Sequence, residues 1–439
     1  MADFLSKFVT PEEAVKAVKP GDWVEYGFST DFPELLDRAL AARRDELTDV
    51  KIRGGLIIRP RMEVVECDPE QKAFTYYSVH VGDYERKLQS RGLVKFIPMM
   101  LRSLPELYRH GYLRTDVAFV PVSRPDDRGY CGLGLSPYCW RTILENARTV
   151  IFEINEHLPL LQGVEGSSRV HLSEADYIVE GEHEPLPTRS YRAASDIDVA
   201  IAKNVIEEIP DGACLGLGVG GVPFTVASMI AQSDLKDLGC WTGTISDAYL
   251  DLWKAGKLTG VNKEVDKGFA TWNLCSGSQE MYDWVAECPQ LFKPADVDWV
   301  HNPFRMGELS NFISINGGVQ IDLMGQENGE SAGTRQLSGI GGQMDFLEGA
   351  FRSKGGCGYI CLASTHAKKD GTLQSNIVTA IGGGSTVSAP RTQIQAVATE
   401  YGVAHLAGKT LRERAEALIA VAHPDFRAEL AAYAEANFK

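Results

Sequence analysis

Apolar and polar positions along the first 180 residues switch repeatedly between a period near 3.6 and a period near 2. Thr10-Pro11-Glu12-Glu13 is a capping-box pattern that opens the helix AVKAV, and Pro20-Gly21-Asp22 then turns the chain into the strand WVEYGF at 23–28. PELLDRALAARRDEL predicts a helix over 33–47 and VKIRGGLII a strand over 50–58. The alternation continues through the helical LRSLPELYRHG and the strands DVAFVPVS, TVIFEI and ADYIVE, the last at 175–180. Alternating units of this kind imply a mostly parallel sheet covered by helices, an α/β fold.

Pro, Ser and Arg interrupt the apolar pattern at 184–198, which reads as a linker between a domain over 1–188 and a second over 189–439. Beyond this linker the chain repeats its opening order. Helix VAIAKNVIEEI, turn PDG and strand ACLGLGVG echo the first helix, turn and strand, and GYICLAS with DGTLQS echoes DVAFVPVS with GYCGLG. The second domain therefore reads as a related copy of the first. It ends in two amphipathic helices divided by Pro424.

The most telling stretch is Leu215 to Asp247. A short apolar strand loosens into Gly216, Gly218, Gly220 and Gly221, then becomes an apolar helix with Pro223 placed at its first position. Such a junction presents free backbone N–H groups and the positive end of a helix dipole, which suit an oxyanion or a polarised carbonyl oxygen. A second glycine cluster, SGIGGQMDF at 338–346, carries the same signature.

Composition narrows the function. A net charge of −15 argues against a nucleic-acid partner. Neither a membrane span nor a secretory signal is indicated in the 439 residues, which makes a cytoplasmic location the expectation. Nine cysteines without a CxxC pair, and nine histidines without ligand spacing, point to reduced thiols and to no metal.

Several longer segments carry a family resemblance: GVGGVP at 218–223, SDAYLDLWKAG at 246–256, INGGVQIDLMGQENGES at 315–331, RQLSGIGGQMDFLEGA at 335–350, SKGG at 353–356, ATEYGVAHLAGKTLRERA at 398–415 and AHPDFR at 422–427. HVGDYERKL, LPELYRHGYLRTDVAFVPVSRPDDRGYCGLG and FEINEHLP extend it through the first half. With these the chain resembles the acetyl-CoA hydrolase/transferase family, in particular its butyrate, 4-hydroxybutyrate and itaconate CoA-transferase branch. The resemblance implies two related open-sheet domains, an active site in the cleft between them, a homodimer, and an acyl-CoA with a small carboxylic acid as substrates. It further implies that the backbone N–H groups of Gly220 and Gly221 meet the thioester oxygen. Gly339, Gly341, Gly342 and Gln343 would line the passage for the pantetheine arm of coenzyme A, and Lys354 with the nearby Arg352 would meet its phosphates.

One implied role is missing. The family's nucleophile is the glutamate of His-Thr-Glu-Met just before Ser-Asp, and here the chain reads Trp241-Thr242-Gly243-Thr244-Ile245-Ser246-Asp247. Without that carboxylate the covalent route through an enzyme-bound glutamyl-CoA has no carrier. Trp241, Thr244 and the segment 55–74 also depart from the family, so the pocket wall changes together with the nucleophile. Trp140, Trp241, Trp253 and Trp272 hint at a bulkier or flatter acyl group, with Asn155 a polar pocket residue. Glu330 and Glu63 are the candidate replacement carboxylates, each needing a pKa raised by burial to act as a general base. The expected activity is CoA transfer or thioester hydrolysis without the glutamyl intermediate. The alternatives are hydrolytic or lyase cleavage of a carbon–carbon bond in a bulky acyl-CoA, and non-catalytic acyl-CoA binding.

Overall fold

Seven parallel strands form the sheet of the first unit. β1 (Trp23–Phe28), β2 (Val50–Gly55), β3 (Phe74–Ser78), β4 (Val94–Phe96), β5 (Val117–Val122), β6 (Thr149–Ile154) and β7 (Tyr177–Glu180) lie in the order β4-β3-β2-β1-β5-β6-β7. The central strands β1, β5 and β6 are buried nearly throughout, as expected of a sheet with both faces covered. One face packs Val24, Leu36, Ile52, Tyr76 and Phe119, the other Phe28, Val120, Trp140, Phe152 and Ile178. The computed structural model describes residues 2–190 and 192–439, so Tyr191 of the expected linker lies outside the described residues.

In the second unit β8 (Cys214–Leu217), β9 (Gly239–Ile245), β10 (Phe312–Gly317), β11 (Cys357–Cys361), β12 (Ala396–Thr399) and β13 (Gly402–His405) run in the order β9-β8-β10-β11-β12-β13. All neighbours are parallel except the last pair, β12 with β13. The order β2-β1-β5-β6-β7 of the first unit thus recurs as β9-β8-β10-β11-β12. Each begins from a helix, a turn and a central strand, the arrangement that the repeated sequence order anticipates.

Compactness does not follow a single cut at 188/189. The first unit comprises Met1–Arg189 together with Thr271–Val300, and the second Ser190–Ala270 with His301–Lys439. Strand-and-helix grammar is the same on both sides of residue 271, so the local pattern carries no trace of this excursion.

Local differences have local causes. The helix predicted over 33–47 stops at Ala41, because Ala42 to Glu46 is held by backbone turns. α1 (Asp196–Ile206) starts earlier than predicted, with Ser195 closing a capping box on Asp198. α2 (Gly221–Ala231) begins at Gly221, so Pro223 is its third residue rather than its first. Proline is tolerated anywhere in that turn, where the backbone N–H has no partner within the helix.

Candidate active site

Gly243 sits near the C-terminal end of β9, beside the glycine turn after β8. Cys214 pairs with Gly239 and Leu215 with Cys240, so continuing the register by three residues brings Gly218 alongside Gly243. Thr242 Oγ1 donates to the Leu217 carbonyl at 2.9 Å, which ties the two strand ends together. Tyr249, from α3 (Asp247–Lys254), accepts from the Leu217 N–H and donates to the Leu215 carbonyl, both at 2.9 Å. The turn is therefore braced on both sides.

Gly220 adopts φ 151° and ψ 175°, a conformation that essentially only glycine occupies, and caps α2 with no side-chain hydrogen bond. Gly221 and Val222 thus offer N–H groups at a helix N-terminus. Arg192 stands over this end, its guanidinium held by Asp198 at 2.8 Å. Because the Asp198 carboxylate borders the same point, the ion pair adds no net charge there, and the backbone N–H groups supply the positive end.

The second glycine cluster ends in another helix start. Gly341 has φ 58°, and Gly342 caps α4 (Gln343–Arg352) without a side-chain bond. The first turn of α4 meets two groups that sequence reasoning missed. Gln343 Nε2 donates to Glu327 Oε2 at 3.0 Å, while Glu327 Oε1 has no hydrogen-bond partner among the described residues. Burial pushes the Glu327 carboxyl up to about 8, against the lowering effect of Gln343. On the other side, Asp345 Oδ2 lies 3.8 Å from Nδ1 of His301, and the Phe346 ring meets that imidazole edge-to-face at 5.3 Å. Glu327 and Asp345 lie inside segments that carry the family resemblance, but a lone acid near a helix start reads as ordinary dipole compensation. His301, in the stretch WVHNP, had no local signal at all.

The expected site residues separate accordingly. Gly220, Gly221, Gly243, Gly341, Gly342 and Gln343 all border the strand ends and helix starts just described. Gly339, in the same half-buried loop, precedes them. Lys354 and Arg352 do not join them. They stand at the C-terminal end of α4, and ten helical residues span about 15 Å. Arg352 pairs with Glu348 at 2.7 Å and stacks over Phe304, while Lys354 is exposed.

Glu330 is buried, but its two oxygens accept from Gln336 and Ser388, each at 3.0 Å, which knits the hairpin Ser331–Ala332 with Arg335–Gln336. Glu63, in the first unit, is paired with Arg61 at 2.5 Å. That bond holds its carboxyl below the usual range, opposite to the raised value that a base requires. Asn155 donates to the Glu184 carbonyl and accepts from the His157 N–H, the work of a turn. The tryptophans, expected to mark a wider pocket, pack instead: Trp140, Trp241 and Trp272 are fully buried core, Trp241 beneath the Lys263 ammonium at 5.4 Å, and only Trp253 reaches solvent. No group of three or more His, Cys, Asp or Glu among the described residues is placed to hold a metal.

Comparison with known proteins decides the family. The acetyl-CoA hydrolase/transferase N-terminal domain matches residues 1–188 and the C-terminal domain of the same family residues 277–434. The chain belongs to the acetyl-CoA hydrolase/transferase family. It is an enzyme of the CoA-transferase class. It is 42% identical over 435 residues to the butyryl-CoA:acetate CoA-transferase of Anaerostipes caccae, covering 99% of this chain and 97% of that one. The 4-hydroxybutyrate coenzyme A transferase of Clostridium kluyveri is 36% identical over 427 residues, 97% of each chain. Among solved structures, RipA from Yersinia pestis superimposes with a TM-score of 0.89 at 32% identity, covering 99% of this chain and 98% of that one. Within this family fold, among the described residues no helix is long and apolar enough to cross a membrane.

Proposed function

We propose that this enzyme handles an acyl-CoA thioester by CoA transfer or thioester hydrolysis without an enzyme-bound glutamyl-CoA. The single observation behind the reading is Gly243 itself: the strand end beside the glycine turn carries no side chain that could take the acyl group or CoA. Neither expected substitute is poised for attack, since Glu330 is bonded through both oxygens and Glu63 is paired with Arg61.

Coenzyme A enters as part of the substrate, with a small carboxylic acid as the second reactant or the product. Gly220 and Gly221 receive the thioester oxygen. Gly339, Gly341, Gly342 and Gln343 flank the pantetheine arm, a placement supported by their half-buried backbone next to Glu327. The enzyme acts as a cytoplasmic homodimer.

The test uses the full chain. Isothermal titration with coenzyme A and with acetyl-, butyryl- and benzoyl-CoA should show micromolar binding. Peptide mass spectrometry after incubation should find no CoA adduct on any glutamate, and borohydride should not inactivate the protein. An adduct on a glutamate would overturn the reading.

A further inference from the structure

The imidazole of His301 borders the place from which the side chain at 243 is missing. A Cβ built on Gly243 would lie 3.2 Å from His301 Nε2 and 3.3 Å from Cε1. On its other side, a Cβ on Gly342 would collide with the same ring, so the glycine that caps α4 is also the glycine that admits the histidine. Phe346 closes the ring's flank, and Asp345 faces Nδ1 at 3.8 Å.

This is a poor way to fill a hole. His301 is 2% exposed, and neither ring nitrogen has a hydrogen-bond partner among the described residues. An aliphatic or phenyl side chain would fill the same volume without burying two unsatisfied polar atoms, which are rare in native interiors and costly. Gly243, by contrast, is partly open to solvent. Nε2 is itself buried, and the space left by the absent side chain at 243 begins 3.2 Å from it. Gly243 from β9 and Gly342 and Phe346 from α4 bring no charge to the ring, and Asp345 brings a titratable one.

We propose that His301 is the general base of this enzyme, that it activates water where relatives carry a covalent nucleophile, and that Asp345 is its positioning residue. The proposal rests on the reading that the chain acts on an acyl-CoA. Water at the position of the absent side chain gives a proton to Nε2 as its oxygen attacks the thioester carbonyl carbon. The carbonyl π electrons move onto oxygen, where the N–H groups of Gly220 and Gly221 stabilise the charge. As the carbonyl reforms, the carbon–sulfur bond breaks and the sulfur leaves with its electron pair, taking the proton from Nε2. The sum is thioester plus water to carboxylic acid plus CoA thiol. The Asp345 carboxylate, at ion-pair rather than hydrogen-bond distance from Nδ1, favours the imidazolium that forms in between.

The experiment tracks thiol release from acetyl-, butyryl- and benzoyl-CoA by the full chain, across pH, beside isothermal titration with coenzyme A. The unmodified enzyme should hydrolyse at least one ester, with a kcat/KM that depends on pH. His301→Asn and His301→Gln should lower kcat by about 10²- to 10⁴-fold and leave CoA affinity unchanged. Asp345→Asn should lower kcat less and leave KM unchanged, and Asp345→Glu should recover part of the loss, a pattern that loss of packing alone would not produce. Hydrolysis by the His301 variants at the unmodified rate, or binding without hydrolysis by the unmodified enzyme, would overturn the proposal while leaving the ligand reading intact. No binding of any CoA species would overturn the ligand reading itself. If the His301 variants do not fold by circular dichroism, the pH profile of the unmodified enzyme decides: a flat profile through the imidazole range sinks the general base.

Discussion

His301 Nε2 stands 3.2 Å from the point where a Cβ on Gly243 would lie, and the two residues share one small volume near the end of β9. A side chain at 243 and the present position of the imidazole are therefore in competition. Gly243→Ala forces the ring back by a few tenths of an ångström and should cost about 1 kcal/mol in urea unfolding. Gly243→Glu meets the same contact at its Cβ, so the imidazole decides where the new carboxylate can go, and a displacement of about 1 Å can cost roughly 100-fold in rate. No transfer between acetate and butyryl-CoA should appear. A CoA adduct on residue 243 of that variant would refute the competition.

Gly220 supplies a second test. At φ 151° a Cβ is strained whatever space surrounds it, although the nearest atom, Pro223 Cδ, is 3.8 Å away. Gly220→Ala should lose about 1–3 kcal/mol of stability and re-aim the N–H groups of the next two residues. Turnover should fall by more than the stability loss accounts for; equal turnover in the folded variant would remove the turn from the chemistry.

Gly341 has φ 58°, so a bulky replacement such as Leu strains the backbone as well as filling the proposed passage. Asparagine tolerates this region far better. Gly341→Asn should thus keep its melting temperature within a few degrees while weakening coenzyme A binding, which separates blockage from strain. Unchanged affinity would place the pantetheine arm elsewhere.

The buried Glu327 carboxyl has a pKa raised to about 8 by desolvation, above its value in the unfolded chain. The folded state therefore holds this proton more tightly, and stability falls as pH rises from the ordinary carboxylate range towards 8. Asp31, also raised to about 8, and Asp37 and Glu153, raised to about 7, act in the same direction. Glu327→Gln should remove one proton's share of the slope, leaving the variant relatively more stable at pH 9 than at pH 5. An identical slope by urea titration would mean that Glu327 is ionised in the fold.

The assembly is open to direct measurement. Light scattering at micromolar concentration should give twice 48.1 kDa or a larger even multiple; a mass near 48.1 kDa would count against the assembly.

Strand, glycine turn and helix start at 214–231 were legible in the residues because each depends on chemistry within a few positions: a short apolar run, a residue free to take φ 151°, and a first turn that accepts proline. The helix, turn and strand that open each unit were legible in the same way, whereas the order in which the strands line up in each sheet was not. The empty nucleophile position was also a sequence fact, since no fold can give Gly243 a side chain.

The group that replaced that side chain was decided only in three dimensions. His301 is far in the chain from Gly243 and from the Gly342–Asp345 turn, and nothing in its own neighbours marks it. Parallel pairing brings Gly243 beside the glycine turn, and the start of α4 sets Gly342, Asp345 and Phe346 around the ring. Tertiary packing also reversed the expectations for Glu63, whose acidity is set by Arg61, and for Trp241, which the fold buries completely. The pattern of apolar and polar positions reports whether a side chain faces inward, but the partner it meets there depends on which distant strands and helices the sheet order places side by side.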